Sequence, residues 1–324
     1  MHGWIILDKP LGLGSTQSVS AVKRALRTGG YGKLKVGHGG TLDPLATGVL
    51  PVAIGEATKL AGRMLDSDKV YDFTIAFGVE TDTLDLEGKA VAESDVRPTL
   101  AAIEAVLPRF TGPIEQVPPA YSALKVDGER AYDLARAGEE VVLQKRAVTV
   151  HSLTRHPRES GDPSPCRATS STVQEMGPRF RGGDEKGDGG VSAVTLTAHV
   201  SKGTYIRSLA RDIACALGTV GHVTYLRRVK AGPFDLDQAI SLDKLDEAVK
   251  GRTLEHYLLP LRAGLDDIPA LALDPDQAGA LRRGRVLAGI ANDDGLHFAT
   301  LGETPVALVE VTSGEARVVR GFNI

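Results

Sequence analysis

The sequence predicts an α+β fold with a small β-rich module at its C-terminal end. Three observations carry this. Residues 69–78 alternate, so that Tyr71, Phe73, Ile75 and Phe77 share one face of a strand, whereas Val19, Val22 and Leu26 recur at helical spacing. The apolar run from Trp4 to Leu7, stopped by Asp8-Lys9-Pro10, has the length and boundaries of a buried strand. Beyond Pro260 the pattern changes to one helix followed by closely spaced short strands. A chain of 324 residues is long enough for two domains.

The elements follow in order. After the first strand, Leu11-Gly12-Leu13-Gly14 is a turn, Ser15 or Thr16 caps a helix, and Gly29-Gly30 stops it. Leu50 to Ile54 reads as a strand and Ala57 to Met64 as a short helix. Residues 81–88 form an acidic turn, read as a solvated loop, because its spacing does not fit a calcium loop. Leu100, Ile103, Val106 and Leu107 mark an amphipathic helix over 98–107. Residues 117–126 are extended, 129–137 helical and closed by Gly138, and 145–153 a strand. A strand over 191–200 leads through Ser201-Lys202-Gly203-Thr204-Tyr205-Ile206-Arg207 into a helix with Leu209, Ile213 and Ala216 as its stripe. Cys215 on that helix reads as core packing. A strand over 221–231 carries Arg227, Arg228 and Lys230, and a helix covers 242–249. The last module places a helix at 276–282 and strands near Val286, Phe298, 306–311 and 316–319.

Residues 157–190 interrupt this order. These 34 residues hold seven Gly, four Pro and eleven charged residues, with only Val173, Met176 and Phe180 as large apolar ones. Such a segment buries too little surface to offset its ordering entropy and reads as a disordered insertion between two strands.

Composition narrows the function. Net charge is −3, so any nucleic-acid contact must come from a local basic patch. Cys166 and Cys215 form no metal-ligand or disulfide pattern. No leader or spanning segment is seen, and a cytoplasmic setting is expected. The Gly-rich turn at 11–14 lacks the lysine and spacing of a phosphate loop.

The chain is organised around Lys35-Val36-Gly37-His38-Gly39-Gly40-Thr41-Leu42-Asp43-Pro44-Leu45-Ala46-Thr47-Gly48. Its glycines permit sharp turns and close approach, while Pro44 biases Asp43 toward an extended backbone. Two readings stand open for Asp43: a turn residue on a surface loop, or a rigidly presented nucleophile or base. A serine hydrolase is excluded by the lack of a GxSxG elbow. A metal hydrolase finds no clustered ligands, His38 being isolated in sequence. A glycosidase needs a second carboxylate, for which Asp82 or Asp85 are the candidates. An Arg facing Asp43 would keep it ionised and directed, and Arg207, in a helix's first turn where a cation is otherwise disfavoured, is the candidate.

The stretch from Gly37 to Gly48 resembles the signature loop of the TruB family of tRNA pseudouridine synthases. Four further segments resemble that family's motifs in order: Gly3-Trp4-Ile5-Ile6-Leu7-Asp8-Lys9-Pro10, Tyr121-Ser122-Ala123-Leu124-Lys125, Ser201 to Arg207, and His222-Val223-Thr224-Tyr225-Leu226-Arg227-Arg228. The resemblance covers about residues 3 to 265 and lacks the insertion. It implies a pseudouridine synthase core with a mixed, mainly antiparallel sheet flanked by helices over 1–265, and a PUA-like RNA-binding module over 268–324. It implies conversion of uridine-55 in the tRNA T arm to pseudouridine, without a cofactor or metal. Asp43 would be the nucleophile, Tyr71 would stack on the target base and assist proton removal, and Arg207 would pair with Asp43. His38, Tyr205 and Leu226 would line the pocket or support flipped nucleotides, and Arg227, Arg228 and Lys230 are available to neutralise phosphates. The expected partner is the tRNA T arm, with no membrane and no obligate protein partner, the chain acting as a monomer. An RNA-binding or RNA-folding protein without essential catalysis is the rival.

Overall fold

The computed structural model describes residues 1–122, 124–126, 129–137, 143–156 and 189–324. Residues 157–188 of the insertion expected at 157–190, with Cys166 among them, and the Gly138 helix stop lie outside the described residues. In chain order the elements are β1 (Gly3–Lys9), α1 (Ser15–Thr28), β2 (Val36–His38), β3 (Thr47–Ile54), a 3-10 turn (Gly55–Leu60), α2 (Ala61–Asp66), β4 (Lys69–Phe77), β5 (Val79–Thr81), β6 (Ala90–Glu93), α3 (Leu100–Val106), β7 (Gly112–Gln116), β8 (Lys125–Val126), β9 (Glu129–Arg130), α4 (Ala131–Arg136), β10 (Arg146–Arg155), β11 (Ala193–Val200), α5 (Ile206–Ala216), β12 (Gly221–Ala231), β13 (Phe234–Asp235), α6 (Leu242–Lys250), β14 (Ala270–Ala272), α7 (Pro275–Arg282), β15 (Leu287–Ala288), β16 (Gly295–Leu301), β17 (Thr304–Thr312) and β18 (Glu315–Gly321). The fold is α+β, with a mixed, mainly antiparallel sheet, flanking helices and a separate five-stranded C-terminal sheet.

The chain divides into two compact units. One comprises Met1–Tyr71, His199–Gly203 and Leu226–Ile324; the other comprises Asp72–Ala198 and Thr204–Tyr225.

In the first unit β1 pairs antiparallel with β3, from Gly3 opposite Ile54 to Lys9 opposite Gly48. β2 adds antiparallel to β3, and the second half of β12 runs parallel to it. Trp4 to Leu7 of β1 form an unbroken apolar run because both faces of the strand are covered there. Ile5 and Leu7 pack with Val19, Val22 and Leu26 of α1 and Leu245 and Val249 of α6. Trp4 and Ile6 pack on the opposite face with Leu60, Met64 and Phe234. The Trp4 and Phe234 ring centroids are 5.4 Å apart, and Trp4 Nε1 donates to the Leu261 carbonyl at 3.3 Å. Helix α1 begins one residue earlier than the Ser/Thr pattern predicts. Gly14 is its N-cap, its N–H satisfied by the Gln17 side chain at 2.9 Å, which frees Ser15 for another task.

The C-terminal sheet has the order β14-β16-β17-β18-β15. Its own core is Leu271, Leu281, Val309 and Val311 with their neighbours, covered by α7. Asp274 and Gln277 cap α7 reciprocally, with Pro275 at its first position. Phe298, Leu308 and Phe322 reach into the cluster that holds Trp4 and Leu60, and Lys59 Nζ donates to the Gly321 carbonyl at 2.8 Å.

In the second unit the strands follow the order β12-β4-β11-β10-β7, with β5-β6 and β8-β9 as separate hairpins. Phe73, Ile75 and Phe77 are buried at alternate positions of β4, as its sequence pattern requires. His156 N–H donates to the Thr195 carbonyl at 2.9 Å, tying the end of β10 to β11 where the insertion leaves and re-enters. The turn at 81–88 is not the solvated loop expected from its charges. Asp85 is buried, and Thr81 Oγ1 donates to its carbonyl at 2.7 Å. Cys215, expected in the core, lies on the exposed side of α5, because Leu209, Ala210, Ile213 and Ala214 already form the buried stripe.

Candidate active site

Asp43 lies on the loop between β2 and β3. The antiparallel pairing of Val36, Gly37 and His38 with Ile54, Ala53 and Val52 brings the two limbs together, and Gly39 N–H closes the base on the Pro51 carbonyl at 2.8 Å. The loop then departs from ordinary backbone at Gly40, with φ +134°, and at Gly48, with φ +100°, conformations that favour glycine.

The loop is anchored on both sides of the half-buried Asp43. Leu42 and Ala46 are buried in the cluster shared with α1 and α6. The Ser15 hydroxyl accepts from Leu42 N–H at 2.7 Å and donates to the Leu42 carbonyl at 3.0 Å. The Asp43 carbonyl accepts from Ala46 N–H at 3.1 Å, and the Pro44 carbonyl from Gly12 N–H at 2.9 Å. Lys9 Nζ, fully buried, donates to the carbonyls of Pro10, Leu13 and Pro44. These bonds to the backbone of Leu42, Asp43 and Pro44 present the carboxylate on a stiff support.

Burial pushes the Lys9 ammonium down to about 8; the Asp43 charge opposes that shift and the Arg228 charge adds to it. Burial and the Arg228 cation also lower the His38 pKa, against a smaller pull from the Gly40 backbone, so the imidazole is neutral near pH 7. Tyr71 and Leu226 are half-buried and pack against the same cluster that holds Leu42 and Ala46. This unit therefore builds Asp43, His38, Tyr71 and Leu226 onto one support.

Arg207 and Tyr205 belong to the second unit. Arg207 is buried in the first turn of α5. Its Nη1 lies 3.3 Å from Asp85 Oδ2 and donates to the Thr83 carbonyl at 2.8 Å, while Nη2 donates to the Tyr121 carbonyl at 2.9 Å. Asp85 is held in turn by Thr83 Oγ1 at 2.5 Å and Glu87 N–H at 3.0 Å. Tyr205 is the N-cap of α5, and the Gln116 side chain bonds both its N–H at 3.1 Å and its carbonyl at 3.4 Å. The Arg146 guanidinium stands 6.0 Å from the Tyr205 ring centroid, a cation–π arrangement.

Two supporting residues escape the sequence reading, and a third takes a different role from the one weighed for it. Lys9 reads only as part of a strand end, although a lysine closing a strand with an apolar run is a signal of a buried cation. Asp85, a candidate second carboxylate by sequence, is instead the ion-pair partner of Arg207, and Gln116 carries no signal. Arg228 corrects an expectation: with 1% of its surface exposed it is closed to phosphate, and its guanidinium is spent on backbone carbonyls.

Comparison with known proteins settles the family. The model of the TruB family pseudouridylate synthase N-terminal domain matches residues 23–165, and that of the tRNA pseudouridylate synthase B C-terminal domain matches 207–266. A tRNA pseudouridine synthase B of Novosphingobium aromaticivorans is 64% identical over 324 residues, spanning all of this chain and 98% of the relative. The chain belongs to the TruB family. A second TruB relative, the tRNA pseudouridine synthase B of Zymomonas mobilis, is 58% identical over all of this chain and 96% of its own length. Among solved structures, a chain of a Cbf5-Nop10-Gar1 complex is 25% identical with a TM-score of 0.67, covering 99% of this chain and 84% of that one. A chain of an archaeal box H/ACA sRNP Nop10-Cbf5 complex, 23% identical with a TM-score of 0.65, shares the fold.

Proposed function

We propose that this TruB-family protein converts uridine-55 in the T arm of tRNA to pseudouridine, with Asp43 as the nucleophile. The observation that carries the reading is the construction around Asp43. Leu42 before it and Ala46 after it are buried, the backbone of its neighbours Leu42 and Pro44 is bonded to Ser15, Gly12 and Lys9, and its own carbonyl accepts from Ala46 N–H, with its side chain at the edge of the core. A carboxylate on a pre-organised support is what an attack on a crowded nucleoside requires.

The isomerisation breaks the N1–C1′ glycosidic bond, turns the base, and joins C5 to C1′. The C5 proton is lost and N1 gains one, so no atoms are exchanged overall and no cofactor is needed. The base must leave the RNA stack, at about a few kcal/mol. Tyr71 offsets that cost by stacking, which contributes about 1–3 kcal/mol per base. The neutral His38 ring and the Leu226 side chain, on the same support, would hold the emptied stack and the flipped base, and Tyr205 would border the pocket. Arg207 would keep Asp43 ionised, with Asp85 fixing the guanidinium. Residues 1–265 form the catalytic part and 268–324 a PUA-like RNA-binding module that would extend the tRNA contact.

No helix among the described residues is long and apolar enough to cross a membrane. We place the protein in the cytoplasm as a monomer acting on free tRNA. Incubation with unmodified T-arm RNA, followed by nucleoside analysis, should give one pseudouridine per molecule, at position 55. RNA that is bound and left unmodified would favour a binding or folding role instead.

A further inference from the structure

Arg228 is one of the largest fully buried side chains, with 1% of its surface exposed. Its guanidinium donates to three carbonyls: Nε to Val49 at 2.7 Å, Nη2 to Gly40 at 3.2 Å and Nη1 to Thr41 at 3.3 Å. Gly40 and Thr41 are on the limb entering the Asp43 loop, and Val49 is on the limb leaving it. The Arg228 main chain touches the same place. It pairs in parallel with Gly48, and a Cβ on Gly48 would stand 2.2 Å from the Arg228 carbonyl oxygen. A buried guanidinium is costly, and an apolar residue of similar size would fill the volume without that cost. What an apolar residue cannot do is hold two limbs together through a rigid planar fork of donors.

We propose that Arg228 is a positioning residue that clamps both limbs of the Asp43 loop and so fixes the carboxylate against its substrate. The proposal rests on the reading of Asp43 as the reacting group. Arg228 itself touches no RNA. Its charge bears on the site as well, since it lowers the pKa values of Lys9 and His38.

The test uses full-length Arg228→Lys and Arg228→Met, compared with the wild type by thermal unfolding, tRNA affinity, single-turnover pseudouridine formation and amide hydrogen exchange over 40–49. Lysine keeps the charge and loses the fork; methionine keeps the bulk and loses both. The clamp predicts folded proteins whose tRNA affinity stays within about twofold and whose single-turnover rate falls by about 10-fold for lysine and about 100-fold for methionine, the scale of a small misplacement of a reacting group. It also predicts faster exchange confined to 40–49. A folded variant with wild-type rate and wild-type exchange would overturn it. So would a variant that loses tRNA affinity with its single-turnover rate unchanged, or failure of both variants to fold, which would make Arg228 a residue of the fold alone. The exchange readout is independent of the reaction, so a wild type that makes no pseudouridine overturns the proposed function, and exchange still decides the clamp.

Discussion

Arg207 and Asp85 form a buried ion pair, Nη1 to Oδ2 at 3.3 Å, with side-chain exposures of 8% and 10%. The guanidinium also serves the carbonyls of Thr83 and Tyr121, so one side chain ties the turn at 81–88 and the segment near 121 to the start of α5. Removing it would leave the Asp85 carboxylate buried with only Thr83 Oγ1 and Glu87 N–H. Breaking one side of a buried pair costs about 3–5 kcal/mol. Arg207→Ala should therefore lower the unfolding free energy from urea titration by about that much, and Asp85→Asn by less, because the amide keeps the shape and an acceptor. A change below about 0.5 kcal/mol, typical of surface sites, would show the pair to be unimportant to the fold.

The Ser15 hydroxyl is bonded to both polar backbone groups of Leu42, next to Asp43. Ser15→Ala leaves a buried N–H and a buried carbonyl without that partner. The expected loss is about 1–3 kcal/mol of stability in urea titrations. The single-turnover rate should fall too, since the freed segment adjoins the carboxylate. Loss of stability with an unchanged rate would separate Ser15 from the site.

Gly48 tolerates no side chain. Its φ is +100°, and a Cβ would meet the Arg228 carbonyl oxygen at 2.2 Å. Gly48→Ala should cost about 3 kcal/mol or more by combining backbone strain with a main-chain clash. A folded variant with an unchanged thermal midpoint would mean that the β3–β12 contact yields easily.

Lys9 and Asp43 are coupled electrostatically. The Lys9 pKa is about 8, lowered chiefly by burial and held up by Asp43. In Asp43→Asn the opposing charge is gone, and the Lys9 pKa should move further below 8, as read by NMR of the lysine Nζ or Cε. Below pH 8 the ammonium is charged in both states, and its burial counts against the fold. Between about 8 and the unfolded value of 10.5 the unfolded chain holds more protons, so this group makes stability rise with pH. The stability difference between wild type and Lys9→Met should accordingly shift in favour of the wild type across that window. No pH dependence of that difference would contradict the assignment.

The ends of β10 and β11 meet through His156 and Thr195, so a short turn would suffice to join them. Replacing residues 157–188 with such a turn should leave the rate within about twofold, because long surface insertions are tolerated at little cost. A large loss would give the insertion a role in the reaction or in RNA binding.

Much of this was legible in the sequence. β12 occupies 221–231 as read, and β4 starts at Lys69 and buries Phe73, Ile75 and Phe77, because period-two burial leaves a direct trace in residue type. The Asp43 loop was legible through its glycines and Pro44. β2 was not, because three residues of Val-Gly-His carry no periodicity and are strand only by pairing with β3. The Asp85 partner of Arg207 and the Gln116 partner of Tyr205 were not, because both are long-range contacts fixed by packing. Arg228 looked like a phosphate ligand because charge alone does not report burial.

The central claim is that Asp43 is the reacting group, and its most direct test is single-turnover pseudouridine formation on unmodified T-arm RNA by Asp43→Asn. The account predicts normal tRNA binding, an unfolding free energy within about 1 kcal/mol of the wild type, and a rate reduced by about 10⁴-fold or more, as expected when a nucleophile is removed. Conversion of uridine-55 by Asp43→Asn at a rate near that of the wild type would contradict it.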